Sequence, residues 1–254
     1  MNPLLDPSAR IVIAHRGASA EAPENTLEAF RRAAELGVAA VELDVHVTAD
    51  GVPVVIHDPT LDRTTDRAGA VAALAFAQVR EADAGARFTP DAGGTFPWRG
   101  RGVRVPALAE VLDALPGMPL LIEVKDPAAR HAIRRVLLEH GAAARCVVAS
   151  NDHRALDVFR EPPCLMGASR RDITRLWLGS KLGLVWADRD CLLYAVPERH
   201  AHLSVTTGAF LAAARRAGRP VHVWTVDDPA TARRLWAEGV SGIITNDPGA
   251  MGRS

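Results

Sequence analysis

Short apolar runs alternate along this chain with segments of helical period. Ile11-Val12-Ile13-Ala14 is a compact apolar run. Asn25 then opens a helix, with Glu28 as its capping-box partner; Leu27, Phe30 and Ala34 mark the inner face and Gly37 ends it. Residues 41–47 and 52–56 are β-rich. Pro106 starts another helix, with Leu108, Val111, Leu112 and Leu115 at i, i+3, i+4, i+7 spacing. Residues 120–124 read as a strand, and Pro127 begins a helix through Ile133, Val136 and Leu137 that Gly141 stops. Further strands fall at 146–149, 165–168, 192–196, 221–226 and 242–245. Before the last of them Asp228 caps a helix, Pro229 takes its first position and Gly239 closes it. Repeated β–α alternation predicts parallel strands joined by crossovers.

Nine strand candidates result, but 41–47 and 52–56 are joined only by Thr48-Ala49-Asp50-Gly51. A turn that short makes an antiparallel hairpin, so the second arm is a return and not a barrel strand. Eight strands remain, as a (β/α)8 TIM barrel requires. An open doubly wound sheet is the alternative, ranked lower because no Gly-rich dinucleotide loop follows the first strand. About sixty residues separate the hairpin from the strand at 120–124, far beyond the usual βα loop. This insert, residues 58–105, holds a short helix over 74–82 and a Gly/Arg/aromatic loop over 88–104. It reads either as a lid over the barrel mouth or as a solvated decoration.

The length of 254 residues suits a single barrel domain spanning 1–254. Lys+Arg and Asp+Glu both number 30, so the formal charge is zero, which argues against a nucleic-acid partner. No apolar run approaches a membrane span. Asp6 and Arg10 interrupt the stretch a signal peptide would need, so the expected location is cytoplasmic. Cys146, Cys164 and Cys191 are widely spaced, without CxxC, and read as small buried residues. The basic residues are nearly all Arg; the only lysines are Lys125 and Lys181.

Candidate chemistry gathers at one barrel end. His15-Arg16-Gly17 follows the first strand. Glu42 and Asp44 stand two apart and share a face, and on a barrel strand that face meets little solvent. Two such carboxylates raise each other's pKa unless a cation neutralises them. With Asp50-Gly51 as a two-residue turn, Ala49 pairs with Val52 and Asp44 lands opposite His57. Glu123 lies near the end of another strand with Lys125 on the same face, a pair that is either functional or a structural ion pair. Three carboxylates without a thiolate suit a hard cation such as Mg²⁺ or Ca²⁺. Two histidines supply a base and an acid, and Arg16 and Lys125 supply charge for an anion. The set fits attack at a phosphoryl centre.

At this point the sequence closely resembles the glycerophosphodiester phosphodiesterase family. The matching text is His-Arg-Gly at 15–17, Pro-Glu-Asn-Thr at 23–26, Glu-Leu-Asp-Val at 42–45, Thr-Ala-Asp-Gly-Val-Pro-Val-Val-Ile-His-Asp at 48–58 and Leu-Asp-Arg-Thr-Thr at 61–65. It continues with Val-Pro-Ala-Leu-Ala-Glu-Val-Leu at 105–112, Ile-Glu-Val-Lys at 122–125, Val-Trp-Thr-Val-Asp at 223–227 and Gly-Ile-Ile-Thr-Asn at 242–246. The resemblance implies metal-dependent hydrolysis of glycerophosphodiesters to sn-glycerol 3-phosphate and an alcohol. It implies that Glu42, Asp44 and Glu123 are metal ligands and that His15 and His57 are the acid–base pair. Arg16 and Lys125 then contact phosphate, and Trp224 walls the substrate site or simply packs at the barrel end. The chemistry it implies uses the glycerol hydroxyl as internal nucleophile through a cyclic phosphate. Pro-Glu-Asn-Thr reads chiefly as a helix cap.

Ser241 and Asn246 stand where the family often has Asp, away from the six core positions. Residues 170–206 are the least family-like, and substrate choice is expected partly there. The nearest rival activity is a lysophospholipase D, with Phe88, Phe96, Trp98, Trp177 and Trp186 as candidate lining for an acyl groove. A catalytically dead barrel that binds polyol phosphates is the non-enzymatic alternative. Head group, metal and oligomeric state stay open.

Overall fold

The apolar runs form the staves of a barrel. The computed structural model, which describes residues 2–251, has strands β1 (Ile11–His15), β2 (Ala40–Val47), β3 (Pro53–Val55), β4 (Leu120–Val124), β5 (Cys146–Ala149), β6 (Leu165–Met166), β7 (Tyr194–Pro197), β8 (Arg199–His200), β9 (Leu203–Ser204), β10 (Val221–Trp224) and β11 (Gly242–Thr245); β3 pairs only with β2, and β8 and β9 form a separate exposed pair off the barrel. Neighbours follow the order β6-β5-β4-β2-β1-β11-β10-β7, and every pairing along it is parallel. The two ends of this path meet. Met166 bridges Cys191 in parallel, Leu192 N donates to Met166 O at 2.8 Å, and Ala168 N donates to Leu193 O at 3.0 Å. The protein is a (β/α)8 barrel, and closure leaves no open sheet edge.

Helices α1 (Leu27–Glu35), α2 (Phe76–Arg80), α3 (Leu108–Ala114), α4 (Arg130–Glu139), α5 (Arg170–Lys181), α6 (Gly208–Arg216), α7 (Pro229–Glu238) and α8 (Pro248–Met251) follow. All but α2 and α8 lie in barrel crossovers; the β5–β6 crossover carries only two short 3₁₀ turns. Strand residues such as Val41, Leu43, Ile122 and Val148 pack outward against the helices. The alternate residues Ile13, Leu121, Val147, Leu193 and Ile244 fill the interior, with Leu4 from the N-terminal turn among them. Burial on both sides is why these strands read as near-continuous apolar runs. The three cysteines are free and buried.

Four local expectations are corrected. The hairpin pairs Val45 with Val55 and Val47 with Pro53, one residue off the expected register. Thr48 N donates to Val52 O and Thr48 Oγ1 accepts from Val52 N, so Thr48 pairs with Val52 and three residues form the turn. Gly51, at φ +80°, supplies the left-handed residue such a turn needs. Helix α1 is capped by Thr26, whose Oγ1 accepts from Ala29 N at 3.3 Å, and not by Asn25. The insert helix is shorter than expected, and the helix after Pro106 begins at Leu108. Around α2 the insert builds its own small core from Val54, Ile56, Leu61, Val71, Val79 and Val103.

One buried histidine is expected to make the barrel acid-sensitive. His222 is fully buried, its Nε2 lies 2.9 Å from Leu4 O and its Nδ1 has no partner. Its ring occupies the space a Cβ on Gly242 would need. Burial pushes its pKa from 6.5 down to about 4. A base depressed in the fold contributes stability that is present above 6.5 and lost as pH falls toward 4. Denaturant unfolding of the parent and of His222→Gln is therefore expected to diverge across that interval, the parent losing about 3 kcal/mol more.

Candidate active site

Strand register assembles the site. In β1, β2 and β4, His15 stands beside Glu42 and Asp44 beside Glu123. Period two keeps Glu42 and Asp44 on the inner face. One carboxylate oxygen from each of Glu42, Asp44 and Glu123 lies within 4.8 Å of the others. Oxygens ~2.0–2.6 Å from a common ion are separated by about this much. Burial first, then the charges of Asp44 and Glu123, push the Glu42 carboxyl well above its ordinary pKa. Asp44 is equally buried, but Lys125 and Arg16 outweigh the burial and hold it below the usual range. Lys125 Nζ lies 3.0 Å from both Asp44 Oδ1 and Glu123 Oε2. The first contact is off hydrogen-bond alignment, so the buried Asp44 Oδ1 has an ionic neighbour and no aligned donor. This donor set fits a hard divalent cation: oxygen-only, mutually repelling, and with an oxygen left to coordinate.

The two histidines reach the site differently. His15 ends β1, with Nε2 3.9 Å from Glu42 Oε2. Its Nδ1 lies 2.7 Å from Asn246 Oδ1. Asn246 Nδ2 donates to Asp227 Oδ2, which fixes the amide so that its oxygen faces His15. The Nδ1–H tautomer follows, leaving a lone pair on Nε2. Burial, then the charge on Arg16, lower the His15 pKa. The expectation that Asn246 stands apart from the core positions is thus corrected. His57 does not pair with Asp44; the corrected register puts Ile56 there, with Ile56 N donating to Asp44 O. The chain bends after β3, His46 Nε2 lies 3.1 Å from His57 O, and His57 still lines the cavity. Its Nδ1 contacts Asp58 Oδ1 at 2.6 Å.

The loop after β1 accounts for two family-like motifs. Arg16 takes φ +56° and Gly17 φ +84°, and a Cβ on Gly17 would lie 2.7 Å from the backbone of Ala29. Only glycine permits that approach. The turn aims Arg16 N at Glu42 Oε2 and Arg16 Nη1 at Glu24 Oε1. Glu24 also takes Arg63 through both oxygens, and Arg63 Nε donates to Asp58 Oδ2 at 2.6 Å. Arg63 and His57 together hold Asp58 near 2 despite its partial burial. An alternating arc, Arg16–Glu24–Arg63–Asp58–His57, joins the loops that carry the two histidines. Through Arg63 the insert meets this end of the barrel. Asn25 is more than a flank of the cap: its Nδ2 donates to Asp44 Oδ2 and its Oδ1 accepts from Asp44 N.

All eight singled-out residues gather here except that Asp44 lies beneath the wall. A cavity of about 250 Å³ is lined by His15, Arg16, Glu42, His57, Glu123 and Lys125, and also by Trp224. Trp224 is 40% exposed at the mouth. Glu24, Asn25, His46, Asn151, Asp227 and Asn246 were not foreseen as site residues. Asn151 Nδ2 donates to Glu123 Oε1 at 2.9 Å.

Residues 15–250 match the family model described as the glycerophosphoryl diester phosphodiesterase family. The chain belongs to the glycerophosphoryl diester phosphodiesterase family. It is 34% identical over 246 residues to a glycerophosphodiester phosphodiesterase of Caldanaerobacter subterraneus, covering 94% of each chain. It is 34% identical over 248 residues to a probable glycerophosphodiester phosphodiesterase 2 of Mycobacterium tuberculosis, covering 93% of this chain and 87% of that one. The fold superposes on an Oleispira antarctica phosphodiesterase in complex with the product sn-glycerol-3-phosphate, with TM-score 0.77, 27% identity and 95% of each chain covered. In this family member, no helix among the described residues is long and apolar enough to cross a membrane.

Proposed function

We propose that this phosphodiesterase-family barrel hydrolyses small, soluble glycerophosphodiesters to sn-glycerol 3-phosphate and an alcohol, by His/His acid–base catalysis at a divalent-cation site. The observation that carries the proposal is the convergence of Glu42, Asp44 and Glu123 with His15 and His57 at one cavity. Glu42, Asp44 and Glu123 would hold the ion, Mg²⁺ or Ca²⁺. A cation there supplies Lewis-acid polarisation of the phosphoryl oxygens. The Nε2 lone pair of His15 takes the proton of the glycerol 2-hydroxyl, whose oxygen attacks phosphorus. His57, its Nδ1 held by Asp58, gives a proton from Nε2 to the departing alcohol oxygen. The P–O bond to the alcohol breaks and a cyclic phosphate forms. Water then opens the ring, giving its proton to His57, while His15 returns its proton to the glycerol oxygen. Arg16 and Lys125 bring positive charge to the phosphoryl group, and Trp224 walls the cavity mouth.

The walls speak against an acyl chain. Phe88 faces a separate groove beside Arg63, Phe96 stacks under Arg99, and Trp98 packs on the insert core. Trp177 packs on the main core and Trp186 against Gly179. A substrate panel is expected to show turnover of glycerophosphocholine well above that of lysophosphatidylcholine. Faster release of choline from the lysolipid would replace this reading with a lysophospholipase D.

A further inference from the structure

Beside the catalytic cavity runs an open groove of about 550 Å³. Asn151 lines both, so the groove begins at the residue that holds Glu123. Arg170, Arg171 and Arg175 line its far side with His153. The one carboxylate on its wall, Asp152, is gripped by Arg154 through two nitrogens. Arg170 and Arg171 are exposed and have no ion pair among the described residues. The carboxylates nearest on the helix side are engaged elsewhere: Asp172 accepts from Ser169, and Asp188 faces Arg160 as well as Arg175.

The placement of these arginines runs against helix electrostatics. Arg170 and Arg171 open α5, where the N-terminal end of the helix dipole disfavours cations. Their charge adds to that of the helix end instead of cancelling it, and in a chain of zero formal charge the concentration is local. Asp172, the acidic residue of the same first turn, is spent on the capping box with Ser169 and forms no ion pair with either arginine. α5 follows directly on β6, so its first turn stands at the strand end that carries the catalytic cavity.

Resting on the phosphodiesterase reading above, we infer that this groove receives the alcohol half of the substrate and selects alcohols that carry a second phosphoryl group. Guanidinium forks match phosphate oxygens in both charge and geometry. A monophosphate adds about −1.5 to −2 charges at neutral pH, which two unpaired arginines can meet.

A matched pair of substrates tests this: glycerophosphoinositol and glycerophosphoinositol 4-phosphate, which differ only in the added phosphate. The expected result is a higher kcat/KM for the phosphorylated member, with the advantage shrinking as salt is added. In Arg170→Gln/Arg171→Gln the ratio of the two kcat/KM values should fall about tenfold, the combined effect of two solvated ion pairs. In Arg170→Glu/Arg171→Glu it should fall further. Equal ratios in the parent and both variants would overturn the inference and leave the phosphodiesterase reading standing. If the parent turned over neither member, nor glycerophosphocholine, with any divalent cation, that reading would fall and the inference with it.

Discussion

Replacing His15 or His57 with alanine is expected to lower kcat by roughly 10²–10⁴ while divalent-cation affinity stays near the parent value. Neither ring is needed as a ligand, because three carboxylates already converge on the site and hard cations prefer their oxygens. The two variants should differ in pH behaviour. Burial, then the Arg16 charge, hold the His15 imidazole below its ordinary 6.5. Proton uptake that silences this base should therefore place the acid limb of the parent kcat/KM profile below 6.5. That limb should disappear in a His15 variant with measurable activity. Calorimetric cation titrations beside turnover assays decide the matter. Loss of cation binding in His57→Ala, with activity returning at high metal concentration, would make His57 a ligand.

Glu42→Gln is expected to do the reverse: weaken cation binding by on the order of 10²-fold, at least what losing an outer-shell partner costs, and lose activity as a consequence. The same substitution should raise the thermal stability of the cation-free protein. Glu42 is held well above its ordinary pKa by burial and by Asp44 and Glu123. Its contribution to the cation-free fold is present while it is protonated and is lost as pH rises through the raised value. Glutamine removes that loss. Cation-induced stabilisation of the parent should accordingly grow with pH, since the ion competes with a proton at Glu42, and should be small in the variant at every pH. Thermal melts with and without Mg²⁺, Ca²⁺ or Mn²⁺ measure both effects. A parent whose melting is indifferent to all three ions would contradict the ligand assignment.

Much of the fold and of the site is legible in the sequence. Period-two alternation placed Glu42 and Asp44 on one face, and the short link after Val47 removed a false barrel strand from the count. Asp228, Pro229 and Gly239 bounded α7 correctly because caps are local chemistry. Long-range partners left no such signal. His15 and Asn246 are 231 residues apart in sequence, and only closure of β11 against β1 brings them together. Asn25 resembled a cap because Asn is a good one; its role became visible only once Asp44 lay opposite it. The hairpin slipped by one residue because Thr48 uses both backbone and hydroxyl to pair with Val52, which spacing alone does not disclose. His57 enters the cavity after a bend, so the wrong register still named a residue that lines the site. Residues 170–206 are the least family-like of the chain, and no motif there marks α5. That helix supplies the basic wall of the groove.

The most direct measurement follows the phosphorus of glycerophosphocholine by ³¹P NMR with chelator-treated protein, before and after adding Mg²⁺, Ca²⁺ or Mn²⁺. The expected result is no change without cation, then conversion to the sn-glycerol 3-phosphate resonance with at least one of them. Undiminished turnover under chelation, or phosphocholine as the product, would contradict the account.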